Sequence, residues 1–159
     1  MSYTVESIEG YAIKRREKPL VVKSRFEFNK VGIVGCGILG QEISRMVSSH
    51  GIDVTFVEVS EEKIEQALAG ISNDLDDMIE RWGMTYGEKK AIMSRIQGTM
   101  IYEDLEGSDI VIESVKSRSR ESSVDLRKRI FKEIEMNIAP DAIIATNSTT
   151  LVITEMSSE

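Results

Sequence analysis

Cysteine is nearly missing from this chain of 159 residues: Cys36 stands alone. A single thiol excludes an intrachain disulfide framework and suits a reducing compartment. Histidine is equally scarce. His50 is the only one, and it sits beside Gly51 where a helix should end, a place for a cap or a surface residue rather than a catalyst. Positive charge is in deficit too, with 20 Lys+Arg against 27 Asp+Glu and a net charge of −7. No general basic field draws in nucleic acid or anionic lipid. No segment approaches the roughly 20 consecutive apolar residues of a membrane span, and the N-terminus lacks the apolar stretch of a leader. The expectation is a soluble, cytoplasmic protein without nucleic-acid or membrane partners. Repeats and low-complexity tracts are absent.

The length is about one domain's worth, and what the chain does carry is concentrated near its start. The run Val31-Gly-Ile-Val-Gly-Cys-Gly-Ile-Leu-Gly40 places Gly35, Gly37 and Gly40 in GxGxxG spacing, directly after an apolar strand and directly before a helical pattern. The three glycines answer different demands. Gly35 permits the sharp turn off the strand, Gly37 lets backbone N–H groups approach a pyrophosphate, and Gly40 lets the helix pack closely on the sheet. A helix beginning at Ile38 and Leu39 would aim its positive dipole end and free N–H groups at phosphates. The second strand, Asp53-Val-Thr-Phe-Val-Glu58, ends in a carboxylate eighteen residues after Gly40. Such a carboxylate accepts hydrogen bonds from adenosine ribose hydroxyls and repels a 2′-phosphate, so Glu58 predicts NAD rather than NADP. Cys36, within the glycine turn, reads as a small packing residue; the alternative is a thiol activated by the helix N-terminus.

The rest of the chain alternates strand and helix. Residues 1–29 stand outside the pattern as an appended arm, with a charged cluster (Lys14-Arg-Arg-Glu-Lys18) and one β-like run, Leu20-Val-Val-Lys-Ser24. The arm is an edge strand, a docking segment or a loose tail. A strand over Lys30–Gly35 leads into a helix over Leu39–Ser49 with Ile43, Met46 and Val47 inward. Ser60, followed by Glu61 and Glu62, reads as the N-cap of a long helix to about Trp82, its apolar face formed by Ile64, Leu68, Ile71, Leu75, Met78 and Ile79. Gly83 ends it, and Thr85 caps a further helix over Tyr86–Gln97. These two helices form a hairpin inserted after the second strand. Thr99–Tyr102 and Asp109–Glu113 read as the third and fourth strands. A helix over Glu121–Met136 with Val124, Ile130, Phe131 and Ile134 inward, a turn at Pro140-Asp141 and a fifth strand over Ala142–Thr146 complete the pattern. The predicted class is α/β, a Rossmann-type doubly wound parallel sheet over residues 30–159.

Four stretches together resemble the N-terminal NAD-binding domain of the 3-hydroxyacyl-CoA dehydrogenases: Val31–Gly40, Val54–Glu58, Asp109-Ile-Val-Ile-Glu-Ser-Val115 and Ala145-Thr-Asn-Ser-Thr-Thr-Leu151. The first two are generic to NAD folds. The last two discriminate, because the family has strand-Glu-Ala-Val and Ser-Asn-Thr-Ser-Ser/Thr there. The hairpin after the second strand, with its Gly83-Met-Thr-Tyr-Gly-Glu stretch, also falls in the family's place. The resemblance implies that Gly35, Gly37, Ile38, Leu39, Gly40 and Glu58 hold the adenosine diphosphate half of NAD. It puts Glu113 and Asn147 near the nicotinamide end and Thr149 in contact with the substrate hydroxyl. The bland alternative for Asn147-Ser-Thr-Thr150 is a strand-end cap opening a helix.

The chain departs from the family at three points. The family's general base is a histidine in a strand expected several residues beyond Glu159, with a helical C-terminal domain after it, and a near-neutral pKa suits that role. The expectation is therefore a chain that binds NAD(H) but does not turn over alone, because it is truncated or because it works as a stand-alone NAD(H)-sensing or regulatory module. A decayed site on a retained fold is a third alternative. Second, Lys116-Ser117 follows Val115 where the family has Pro or another small residue and then Glu, and the segment up to Phe131 is about five residues longer than usual and carries a Ser- and Arg-rich run, Lys116–Ser123. That run reads as a solvated loop, with a phosphate-contacting patch or a modifiable serine loop as alternatives. Third, Asp74-Leu-Asp-Asp77 makes the hairpin acidic, so that acyl-CoA would have only Arg81, Lys89 and Lys90 to hold its phosphates. Homo-oligomerisation stays open, since the resemblance assigns the dimer surface to the C-terminal domain.

Overall fold

The computed structural model describes residues 28–116 and 120–147. In chain order the elements are β1 (Lys30–Val34), α1 (Ile38–Ser49), β2 (Asp53–Val57), α2 (Glu61–Trp82), α3 (Tyr86–Met93), β3 (Ile96–Thr99), a 3₁₀ turn (Tyr102–Leu105), β4 (Ile110–Glu113), α4 (Arg120–Asn137) and β5 (Ile143–Thr146). The strands form one sheet in the order β3-β2-β1-β4-β5, parallel throughout, with Val31 opposite Val54 and Ile110, and Ile112 opposite Ala145. The inner strands β1 and β4 are largely apolar on both faces because helices cover both. Val31, Ile33, Val54 and Phe56 point to the α1–α2–α3 side, where Ala67, Ile71, Leu75 and Ile92 meet them. Val34, Val57 and Val111 point the other way, onto Ile130 and Ile134 of α4 and Leu105 of the 3₁₀ turn. The doubly wound architecture is as the alternation predicts.

Local signals fix several helix ends. Ser60 Oγ accepts the Lys63 N–H at the start of α2, and left-handed Gly83 closes that helix. Thr85 and Glu88 form a reciprocal capping box at the start of α3. His50 is the exposed C-cap of α1, its Nδ1 2.8 Å from the Met46 carbonyl.

The interval after Thr85 departs from the sequence expectation. α3 stops at Met93 rather than Gln97, and β3 covers Ile96–Thr99 rather than Thr99–Tyr102. Ile92 and Ile96 share helical spacing, which extends the apparent helix; pairing of Ile96–Thr99 along Val54–Val57 wins because it satisfies four backbone positions and buries Ile96. Tyr102 is then free to open the 3₁₀ turn, which Thr99 fastens by donating its hydroxyl to Asp104 and accepting the Ile101 N–H. Other differences concern faces. α1 buries Gly40, Ser44 and Ser48, the two serines fully, and leaves Met46 half exposed, because close helix–sheet packing admits only small residues along its inner line. On α4, Ile130 and Ile134 are buried as expected, but Arg127 joins them and Phe131 does not. No described helix is long and apolar enough to cross a membrane. Of the arm, only Phe28 and Asn29 fall within the described residues; the Leu20–Ser24 run lies outside them.

Candidate cofactor site

β1 and β4 are neighbours, yet their chains leave the sheet towards opposite faces, α1 to one and α4 to the other, so a crevice opens above their C-terminal ends. A cavity of about 730 Å³ occupies it, lined by the glycine turn Val34–Gly37, by Val57–Val59 at the tip of β2, by Lys63 and Gln66 of α2, and by Ser114–Lys116, Tyr102, Leu126 and Ile130. Its rim is held by the strand ladders running one residue past the strand ends. Gly35 N–H donates to Val57 O at 3.0 Å, Ser114 N–H to Val34 O at 2.8 Å, and Asn147 N–H to Glu113 O at 2.9 Å.

The three glycines behave differently. Gly35 takes φ +88°, a conformation that side-chain-bearing residues rarely adopt, and packs against Val115. A Cβ on Gly40 would stand 2.5 Å from the Gly35 carbonyl oxygen, so this residue sets how near α1 lies to the turn. A Cβ on Gly37 would meet nothing within 4 Å. Gly37 lines the cavity and is the N-cap of α1, which has no capping side chain and no acid in its first turn, although α2 and α3 have both. The backbone donors of Ile38 and Leu39, both exposed, are thus left for an anion.

Glu58 stands beside this turn. One carboxylate oxygen accepts the Cys36 N–H at 2.6 Å, and the other accepts the Val59 N–H at 3.2 Å. Carboxylate oxygens accept more than one bond each, so the orientation is fixed while capacity for hydroxyl donors remains. Cys36 itself points inward, 3% exposed. Burial, only partly offset by contact with Ser44 and reinforced by the Glu58 charge, pushes its thiol up to about 12. It is a neutral packing residue, and the activated-thiol alternative fails on burial.

The groups expected at the opposite end of the crevice divide. Asn147 is exposed at the tip of β5. Glu113 lies beneath the cavity lining rather than in it: its side chain is fully buried, with one oxygen accepting Val115 N–H at 2.7 Å and the other accepting Thr146 Oγ at 2.6 Å and Arg127 Nε at 3.1 Å. Thr149 and residues 117–119 of the Ser-Arg run lie outside the described residues. Residue types alone gave no sign of Gln41, Lys63, Gln66, Tyr102, Leu126 and Ile130 as lining; the one signal was the position of Lys63 in the first turn of the helix after Glu58. Burial, with the Glu133 and Glu113 charges, raises the Tyr102 phenol above its ordinary value, so Tyr102 remains a neutral donor. On the hairpin, Lys89 is tied to Asp76 at 2.6 Å and Arg81 lies 3.6 Å from Asp77, which leaves Lys90 without an acidic partner among the described residues.

The family model for the 3-hydroxyacyl-CoA dehydrogenase NAD binding domain matches residues 30–159. The chain belongs to this family. NAD is accordingly its cofactor, and the open face at Gly37 and the fixed Glu58 carboxylate suit it. Among curated relatives, a fatty acid oxidation complex subunit alpha from Psychrobacter arcticus is 30% identical over 132 residues, 83% of this chain and 18% of that protein. A 3-hydroxybutyryl-CoA dehydrogenase from Clostridioides difficile is 29% identical over 129 residues, 81% of this chain and 44% of its own length. The crystal structure of (S)-3-hydroxybutyryl-CoA dehydrogenase from Ralstonia eutropha superposes with a TM-score of 0.74 at 31% identity, over 81% of this chain and 44% of that one. The chain thus spans less than half the length of these relatives.

Proposed function

We propose that this chain is the NAD-holding part of an oxidoreductase that interconverts 3-hydroxyacyl and 3-oxoacyl thioesters of coenzyme A. In this reading the pyrophosphate rests on the N–H groups of Ile38 and Leu39 over the open side of Gly37. The adenosine ribose hydroxyls donate to Glu58, and the nicotinamide end reaches past Ser114 towards Asn147. Thr149 contacts the substrate hydroxyl. The observation that carries this reading is the Glu58 carboxylate, fixed at the crevice by the Cys36 N–H at 2.6 Å, next to a helix start with no cap of its own.

NAD supplies the hydride acceptor, and oxidation of a secondary alcohol also needs a base to take the hydroxyl proton. His50 does not serve. It caps the far end of α1, twelve residues or about 18 Å from the glycine turn. The base and the main acyl-CoA contacts therefore come from outside the elements described, in keeping with a hairpin whose cations Lys89 and Arg81 face acids of their own. The position of the one histidine equally favours a second reading, in which the chain senses NAD(H) without catalysis.

Absorbance of NADH followed with acetoacetyl-CoA tests the proposal. The chain alone should bind NADH without consuming it, and turnover should appear on adding the helical C-terminal domain of a 3-hydroxybutyryl-CoA dehydrogenase. Turnover by the chain alone would refute the assignment of the base, and binding without turnover in the mixture would favour the sensing module.

A further inference from the structure

We propose that Arg127 of α4 is a positioning residue for the nicotinamide half of the cofactor, a role that rests on the reading of the crevice given above. Arg127 and Glu113 form an ion pair with side chains 9% and 1% exposed, and neither lines the cavity. Burying two charges is costly, and an apolar pair of similar volume often serves stability as well or better. The geometry shows what the charges accomplish that an apolar pair would not.

The pair grips two loops. Glu113 takes the N–H of Val115 on one oxygen at 2.7 Å, while Arg127 gives a second guanidinium nitrogen to the Val115 carbonyl at 3.0 Å, so both backbone polar groups of that residue are clamped from below. Val115 in turn packs on the glycine turn, since a Cβ added to Gly35 would lie 2.9 Å from its side chain. The Glu113 oxygen that accepts Arg127 also accepts the hydroxyl of Thr146, and the Glu113 carbonyl accepts the N–H of Asn147. The tips of β4 and β5 are thereby locked together at the end of the crevice away from Glu58. A planar guanidinium with several fixed donors can bond a carboxylate and a carbonyl at once, which a single ammonium does less rigidly. Loosening this clamp should misplace the β4 and β5 tips first; it reaches the adenosine end only through the Val115–Gly35 contact, where the turn stays tied to β2 by the Gly35 N–H to Val57 O bond at 3.0 Å and Glu58 by the Cys36 N–H.

The test compares NADH with ADP-ribose, which lacks the nicotinamide, by calorimetric titration of the full chain. The double variant Glu113→Gln/Arg127→Met removes both charges at similar volume and avoids an orphaned buried charge. It should bind NADH roughly tenfold more weakly, the loss of about one charge-assisted hydrogen bond, and ADP-ribose within about twofold of wild type. The fluorescence enhancement of bound NADH should fall with it. If the double variant does not fold by circular dichroism, Arg127→Lys carries the test and should show the same one-sided loss to a smaller degree. Parallel losses for both ligands, or no loss for either, would overturn the inference, because a merely structural pair would not distinguish them. Wild-type chain that binds ADP-ribose as tightly as NADH would instead overturn the placement of the nicotinamide itself, and the role of Arg127 with it.

Discussion

Alanine at Gly40 and alanine at Gly37 should both weaken NADH binding but should part on stability, although each adds one methyl to the same turn. At Gly40 the added Cβ would stand 2.5 Å from the Gly35 carbonyl oxygen, where ordinary contact begins at 3.4 Å, so helix and turn must part by about 0.9 Å. Overpacking of this kind costs about 1–3 kcal/mol. For a chain of this size each kcal/mol lowers the melting temperature by about 2–4 °C. The same movement draws the α1 donors away from the phosphate position, and NADH binding weakens as well. At Gly37 the backbone is extended with φ −70°, which alanine adopts freely, and the methyl would meet nothing within 4 Å. Stability of the free chain should stay within about 0.5 kcal/mol of wild type. The methyl then occupies the space over which the pyrophosphate is held, and NADH affinity should fall about tenfold or more, the equivalent of a similar steric cost. Thermal melts by circular dichroism and titration with NADH, on both variants, supply the readouts. Unchanged NADH affinity in Gly37→Ala would refute the placement of the pyrophosphate. A Gly40→Ala protein as stable as wild type would refute the close approach of α1.

Leu75 is fully buried between α2 and the sheet, and Leu75→Ala should cost about 2–5 kcal/mol in urea unfolding, whereas alanine at the exposed Trp82 should change stability little. Cys36 should resist alkylation in the native chain at pH 8 and react once the chain is unfolded. Because its folded pKa, about 12, lies above the ordinary value of 9.0, the stability it contributes is complete below pH 9 and is lost as pH rises towards 12. Cys36→Ser should flatten that alkaline decline, seen in denaturant midpoints measured across the range. Glu88 is held below the usual carboxylate value by the Thr85 backbone and hydroxyl. Its contribution is present above that usual value and lost as pH falls, so Glu88→Gln should reduce the acid sensitivity of melting.

The strand-turn-helix at β1–α1 was legible because one residue type at each of three positions answers one steric demand, and Glu58 because a carboxylate directly after the apolar Phe56-Val57 end of β2 has few structural reasons to be there. Capping chemistry at Ser60, Gly83 and Thr85 likewise marked helix ends locally. What escaped was decided by partners distant in sequence. The boundary between α3 and β3 depends on Ile96 finding Val54 across the sheet. The roles of Glu113 depend on Arg127, fourteen residues on, and Thr146, thirty-three residues on. In sequence Arg127 reads as one more cation on a charged helix. The crevice lining escaped for the same reason, since Tyr102, Leu126 and Ile130 come together only through the packing of α4 on the 3₁₀ turn.

The glycine turn and Glu58 are held here to bind NAD, with the carboxylate rejecting a 2′-phosphate. Calorimetric titration of the purified chain with NADH and NADPH, repeated on Glu58→Arg, tests this most directly. Saturable binding of NADH, much weaker binding of NADPH, and a narrowed preference in the variant are the expected results. Equal affinity of the wild-type chain for the two nucleotides, or no binding of either, would contradict them.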